Sequence, residues 1–299
     1  MVSDGWVFDA YETARPRLPQ LTFTNTTRNV NNLSEIADHF DTFLLDGFGV
    51  LNVGDRAVPG AVARVAELRA LGKRVLLVTN SASASRQNQV ARYKKRGFDF
   101  RIDDIISSRE PALTAIAQGP EYKWGLVADP AYGCDGIAHL DGVFLGDDSA
   151  AYDSVDAFLM LGCTQWTKAR QEILVQSIRS NPRPVFVGNP DIAALLESGI
   201  SRQPGHFAHR LADATGIAPQ FFGKPFLNIF DYAFTQLDPD FDRDRTIMVG
   251  DSLHTDILGG RGAGVKTALV TDFGTLAGMD VKAAINTSGI IPDYIMPGP

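Results

Sequence analysis

Four short segments of this chain place chemically capable polar residues directly after apolar runs or tight turns. In "FLLDGFGVLN" the run Phe43-Leu44-Leu45 ends on Asp46, and Gly47 and Gly49 bracket Phe48. "RVLLVTNS" ends on Thr79-Asn80-Ser81, "GKP" carries Lys224, and "IMVGDSLHTD" carries Asp251 and Asp256. In doubly wound sheets, ligands sit outside the carboxyl ends of the strands, so these segments are candidates for one site. Together they offer carboxylates, a hydroxyl, free backbone N–H groups and one ammonium. That set suits a phosphate and a magnesium ion: carboxylates hold the hard cation, Lys and Thr neutralise and orient phosphoryl oxygens, and a carboxylate near the metal can attack phosphorus.

The elements that must position these groups alternate. "DTFLLDGFGVLN" reads as strand and loop, and "PGAVARVAELRALG" as an amphipathic helix that Pro59 starts and Gly72 stops. "KRVLLVTNSAS" reads as a second strand, followed by a helix in "SRQNQVARYKKRG", a short strand in "DDIISS" and a helix in "EPALTAIAQG". Continuous apolar strands alternating with helices imply a parallel sheet covered on both faces. From about residue 120 the pieces are denser in turns: strands in "KWGLVAD", "GVFLG", "DAFLMLG" and "RPVFVGNPD", with a helix in "WTKARQEILVQSIRS". From about Gly223 the earlier style returns, with a helix in "FLNIFDYAFTQL", a strand in "DRTIMVGDS", a helix in "TDILGGRGAG" and a strand in "VKTALVTDFG". The expected fold is α/β: a Rossmann-like doubly wound parallel sheet core, residues 35–110 and 223–299, with a smaller α/β cap domain, 111–222, inserted in it. Residues 1–34, polar and poor in periodicity, are expected to form an irregular extension laid over the surface.

Composition narrows the partners. The 299 residues are 44% hydrophobic and 21% charged, with a net charge of -7. This balance gives no electrostatic reason to expect nucleic acid. No apolar run reaches the ~18–20 residues of a membrane span, and the first residues carry acids and aromatics where a secretory signal carries basic and apolar ones. Two cysteines, Cys134 and Cys163, without CxxC spacing point to a reduced, cytoplasmic setting.

The four segments, in this order, resemble the haloacid dehalogenase superfamily of phosphotransferases, most strongly its subfamily IIA, the 4-nitrophenyl phosphatase, pyridoxal phosphatase and NagD-like branch. The resemblance runs from about residue 40 to 275 and includes "AVPGAVARVAELRALGKRVLLVTNSASASR", "VGNPD", "GKP" and "VGDSLHTDILGGRGAGVKTALV". The long stretch between Thr79 and Lys224 places the cap between the second and third motifs, where this subfamily has it. The resemblance implies that Asp46 is the nucleophile that forms an aspartyl-phosphate. It implies that Thr79 and the backbone of Asn80 bind the phosphoryl group, and that Lys224 stabilises its charge and the nucleophile. Mg²⁺ would lie between Asp46, Asp251 and the backbone carbonyl of Phe48, with Asp256 either behind these ligands or at an additional metal position. Asn189 and Asp191 in "GNPD" match a cap motif on the substrate side. The implied partner is a small phosphorylated metabolite, and caps of this kind often pair, which leaves a homodimer through the cap open.

One position departs from the pattern. The usual first motif is Asp-x-Asp, its second aspartate protonating the leaving group and later activating water; here that position is Phe48. General acid–base catalysis is typically worth ~10²–10⁴-fold. A slow phosphatase, one restricted to good leaving groups, and one that recruits a donor from the cap all fit. Two further readings stand beside these: a non-catalytic phosphate-ester binder, motivated by Phe48, and a metal-independent dehalogenase, which would leave Asp251 without a purpose. Each residue also has a plainer role. Thr79-Asn80-Ser81 and the two late aspartates could cap helices, and Asn-Pro-Asp is a turn sequence. His206 and His209 lack a third zinc ligand and read as a helix-surface pair. In "GGRGAGVKT", Val265 separates Gly264 from Lys266, so the phosphate-loop ending fails.

Overall fold

The structure of the protein is a computed structural model, and it describes residues 5–132, 135–196 and 199–299. Its larger sheet has seven parallel strands. In spatial order they are Arg28–Asn29, Tyr294–Met296, Lys266–Val270, Thr246–Gly250, Thr42–Leu45, Arg74–Thr79 and Ile105–Ser107. After the edge strand Arg28–Asn29, the chain crosses to the centre at Thr42–Leu45, builds outward through Arg74–Thr79 and Ile105–Ser107, and later returns to fill the opposite side from Thr246–Gly250 onward. The order therefore reverses at the strand that ends on Asp46, which is where a doubly wound sheet opens a crevice.

The strand period explains the two-sided core. Phe43, Leu45, Val75, Leu77, Ile247 and Val249 pack into one cluster, while Leu44, Leu76, Val78, Ile106 and Met248 pack into another on the opposite face. The second sheet has five parallel strands in the order Gln220–Phe221, Val185–Val187, Ala157–Met160, Trp124–Val127 and Gly142–Phe144. Two antiparallel hairpins complete the strands: a small flap, Asn52–Val53 with Arg56–Ala57, directly after the Asp46 loop, and Ala193–Leu196 with Gly199–Arg202. The helices over Ala61–Ala70, Arg86–Lys95, Arg109–Gln118 and Lys168–Ser180 lie where the apolar spacing expects them. Among the described residues no helix is long and apolar enough to cross a membrane. Cys163 is a free thiol; Cys134 lies outside the described residues.

The irregular reading of the N-terminal segment is corrected. Trp6–Ala14 forms an α-helix, and Arg28–Asn29 adds the edge strand of the large sheet. Val7, Tyr11 and Ala14, spaced i, i+4 and i+7, are buried with Phe8 in a cluster that also contains Ile192 and Ala193 from beside the smaller lobe and Leu253 and Ile257 from the core. Burial of a large apolar side chain is worth about 1.5–3 kcal/mol, so the helix is a wedge between two parts of the molecule and not a surface drape. His209 is also corrected: it is buried and stacked on Phe221, with ring centroids 4.9 Å apart. The helix Pro204–Thr215 that carries it turns that face inward.

Candidate active site

Register brings the sequence-predicted residues together. Leu45 pairs with Val249 on one side and Leu77 on the other, so Asp46, Thr79 and Asp251 emerge at the same edge of the sheet. The Asp46 amide is still in the ladder, donating to the Val249 carbonyl at 2.9 Å, and the chain then turns sharply. The Gly47 carbonyl accepts the amides of Leu51 and Asn52 at 2.8 and 2.9 Å, and the Gly49 amide donates to the Asn52 carbonyl at 2.9 Å. Among the described backbone hydrogen bonds of this loop, none uses the Phe48 carbonyl. Gly49 is required here: its φ is 76°, and a Cβ would meet Asp251 at 2.6 Å.

Lys224 joins the carboxylates. Its Nζ lies 2.5 Å from Asp46 Oδ1 and 2.7 Å from Asp256 Oδ1, with all three side chains nearly or fully buried. Burial alone would pull the lysine down, but the carboxylates of Asp256 and Asp46 outweigh it and hold the ammonium well above its ordinary range. Burial pushes Asp46 upward; Lys224 opposes this, and Asp256 and Asp251 add to it. Asp256 Oδ2 accepts the amides of Asp251 and Ser252, both at 3.1 Å, and so shapes this end of the site. Its Oδ1 lies 2.7 Å from Lys224 Nζ and makes no hydrogen bond among the described residues.

Asp251 is held by a residue that the sequence reading missed. Thr275 donates its amide to Asp251 Oδ2 at 2.6 Å and its hydroxyl to the Asp251 carbonyl at 2.8 Å. Burial, with Asp256 adjacent, pushes the Asp251 carboxyl up to about 7. Oδ2 of Asp46 and Oδ1 of Asp251 have no hydrogen-bond partner among the described residues. Carboxylate oxygens of Asp46, Asp251 and Asp256 lie within 4.8 Å of one another. An all-oxygen donor set of this kind, with the uncommitted Phe48 carbonyl beside it, fits a hard divalent cation.

Asn80 is the joint of the site. Its Oδ1 accepts the Lys224 amide at 2.7 Å, while its Nδ2 donates to the Lys224 carbonyl at 2.9 Å and to Asp191 Oδ1 at 2.8 Å. The side chain thus ties three separate segments together; the Asn80 carbonyl accepts the Ser108 hydroxyl at 2.9 Å, which leaves the backbone amide for a ligand. Thr79 Oγ1 accepts the Ser81 amide at 3.2 Å. In the "GNPD" turn, Asn189 Oδ1 accepts the Asp191 amide at 2.9 Å, as a turn asparagine does, and Asn189 Nδ2 donates to Gln203 at 3.3 Å. Asp191 nevertheless points to the site: burial raises its carboxyl to about 6, with Asn80, Lys224 and Tyr11 working against that rise.

Tyr11 was also missed. Its hydroxyl accepts the Ile192 amide at 3.2 Å, its ring stacks on His254 at 5.2 Å, and burial, with Asp191 nearby, lifts the phenol well above its ordinary range. His254 in turn contacts Glu12 from the same helix at 2.5 Å. The available signal was the i, i+4, i+7 spacing of Val7, Tyr11 and Ala14; nothing local says what that face packs on. One cavity of about 1070 Å³ is lined in part by Tyr11, Asp46, Phe48, Thr79, Asn189, Asp191, Lys224 and Asp251.

A carboxylate and lysine site at the switch point of a parallel α/β sheet, roofed by a second sheet, defines a class of hydrolase, and comparison with known proteins agrees. Residues 43–132 match the family model for haloacid dehalogenase-like hydrolases, and residues 221–296 match a second, HAD-hydrolase-like model. The chain is 25% identical over 280 residues to a 4-nitrophenylphosphatase of Schizosaccharomyces pombe, covering 87% of this chain and 92% of that one. It is 29% identical over 278 residues to chronophin of Homo sapiens, covering 88% and 92%. A "possible sugar phosphatase, HAD superfamily" from Cytophaga hutchinsonii superposes with a TM-score of 0.79 at 25% identity, over 91% of this chain and 98% of that one. The chain belongs to the haloacid dehalogenase superfamily, in its subfamily IIA, as an enzyme of the phosphatase type.

Proposed function

We propose that the protein is a Mg²⁺-dependent phosphomonoester hydrolase acting on a small phosphorylated metabolite through an aspartyl-phosphate on Asp46. The observation that carries this reading is the Asp46–Lys224–Asp256 chain of contacts at 2.5 and 2.7 Å, at the mouth of a cavity and beside Asp251. An oxygen of Asp46 attacks phosphorus while the bond to the leaving alcohol breaks. Water then attacks the same phosphorus, releasing inorganic phosphate and restoring Asp46. Thr79 and the Asn80 backbone bind the phosphoryl oxygens, and Lys224 offsets their charge. Mg²⁺ held by Asp46, Asp251 and the Phe48 carbonyl would supply further charge neutralisation. The leaving oxygen needs a proton that Phe48 cannot give. Asp191, with Asn189 on the substrate side of the same cavity, is the carboxyl group we assign to that need.

The test is hydrolysis of 4-nitrophenyl phosphate, with Mg²⁺ and with EDTA, by the wild type and Asp46→Asn. This substrate has a good leaving group and scarcely needs a general acid. We expect metal-dependent turnover that the variant loses by on the order of 10⁴-fold or more. Turnover retained in Asp46→Asn would remove the nucleophile assignment. Phosphate binding without turnover in the wild type would leave a phosphate-ester binder, the reading that Phe48 favours.

A further inference from the structure

The lining of the cavity contains two chemically different groups. One is Asp46, Lys224 and Asp251. The other is Arg92, Lys95 and Arg96, on and just after the helix Arg86–Lys95. Their i, i+3, i+4 spacing puts three cations on one stripe. A stripe of this kind is ordinarily a solvated face, and three observations set it apart.

The first is partnering. Arg96 is engaged by Asp55 at 2.9 Å and by the Gly54 carbonyl at 3.0 Å, but Arg92 and Lys95 have no carboxylate partner among the described residues. Arg92 is half-buried even so, with its guanidinium 5.3 Å from the centre of the Tyr132 ring. A ring under a guanidinium fixes the plane of the fork without using its donors. The second is proximity to the chemistry. Tyr93, next in sequence, sends its hydroxyl under the nucleophile loop, where it donates to Asn52 Oδ1 at 2.9 Å and where a Cβ on Gly47 would stand 2.4 Å away. The helix that carries Arg92 and Lys95 therefore packs on the nucleophile loop through the residue between them, and both cations line the cavity that holds Asp46. The third is the source of that ring: Tyr132 comes from the segment after the Trp124–Val127 strand of the second sheet and lines the same cavity as Arg92.

We infer that the substrate carries a second anionic group, a carboxylate or a phosphate, received by Arg92 and Lys95 while its phosphomonoester lies at Asp46. The inference rests on the phosphatase reading and narrows its substrate class. An oriented guanidinium takes a carboxylate or phosphate through two parallel hydrogen bonds, and an ammonium adjoining it adds charge. Neutral sugar or polyol phosphates would leave both cations facing nothing.

The experiment compares kcat/KM within matched pairs of different reach: ethyl phosphate against 2-phosphoglycolate, and phenyl phosphate against 4-carboxyphenyl phosphate and 1,4-phenylene bisphosphate. The aryl set depends less on a general acid than the alkyl pair, and leaving groups within each set are of similar basicity, so the Phe48 question weighs about equally on the members compared. The expected result is a preference for an anionic member of at least about 10-fold, from charge-assisted hydrogen bonds. Arg92→Ala should bring that ratio towards one, Lys95→Ala should lower it less, and Arg92→Lys should fall between. Preference for the carboxylates over the bisphosphate, or the reverse, names the second anion. Equal kcat/KM within every pair for the wild type, or equal losses for neutral and anionic members in Arg92→Ala, would overturn the inference. If no ester is hydrolysed, 4-nitrophenyl phosphate included, the phosphatase reading fails and calorimetry with the same pairs decides. Tighter binding of the anionic member, weakened by Arg92→Ala, then supports the second-anion site, and indifference overturns it.

Discussion

The strand ends of the large sheet and the walls that close over them are built by different rules. At the strand ends each charged group is held by a polar group from a distant segment: Asp46 by Lys224, Lys224 by Asp256, Asp251 by Thr275. In the walls, Asp191 rests on Asn80 and Tyr11, and Tyr11 and Arg92 rest largely on ring packing. The difference teaches where chemistry and stability are coupled. Removing a strand-end group strips a partner from a buried charge, whereas a wall group can change with a small, local consequence.

The largest effect should come from Lys224→Met, which keeps the length of the side chain but leaves two buried carboxylates facing each other. Breaking a buried ion pair typically costs about 3–5 kcal/mol, and loss of a charge-stabilising group costs about 10²–10³-fold in turnover. Denaturant unfolding and 4-nitrophenyl phosphate hydrolysis on the same preparation should both fall. A variant that is inactive yet as stable as the wild type would break the comparison, because coupling at the strand ends would then be absent.

A smaller effect is expected in the wall. Tyr11→Phe keeps the stack on His254 and loses the acceptor for the Ile192 amide together with the hydroxyl that favours the charged form of Asp191, at a cost of about 0.5–1.5 kcal/mol for a neutral hydrogen bond. The unfolding midpoint should move slightly, with metal-dependent hydrolysis of 4-nitrophenyl phosphate largely kept. A loss as large as that of Lys224→Met would place the N-terminal helix in the same coupled network as the strand ends.

The same contrast explains what could be read from the sequence. Asp46, Thr79 and Asp251 each follow an apolar run of two-residue period, and a sheet that is buried on both faces has only its ends for polar work; the site was legible because strand geometry leaves little choice. Asp256 was ambiguous between cap and metal ligand because it performs a capping role on the amides of Asp251 and Ser252 while facing Lys224. The walls lacked such a rule. Thr275 sits in an ordinary loop, and Arg92 looks like any helix-surface cation until Tyr132 is laid against it. Tyr11 lies in a segment whose polar surroundings hid a short amphipathic face, and the partner of that face is more than 180 residues away, at Ile192. His209 was misplaced for the same reason: two histidines at i, i+3 say nothing about which side of the helix meets Phe221.

The most specific effect follows one carboxyl group in the wall. Burial raises Asp191 from an ordinary 3.8 to about 6. A carboxyl with a raised folded-state value binds its proton more tightly in the folded protein than in the unfolded one, so its contribution to stability is complete below 3.8 and is lost as pH rises through about 6. Asp191→Asn removes that titration and keeps an oxygen able to accept from Asn80. Measured by denaturant unfolding in EDTA, the stability of the wild type relative to Asp191→Asn should therefore decline across that interval and level off above it. Asp46 and Asp251 titrate in both proteins, so the difference reports Asp191 together with its influence on Asp251, which the Asp191 charge pushes upward. Tyr11→Phe sharpens the result: the Tyr11 hydroxyl favours the charged form of Asp191, and without it the decline should move to higher pH. A difference that is flat with pH would mean that Asp191 is as solvated as a surface carboxylate, and its assignment as the proton source would go with it.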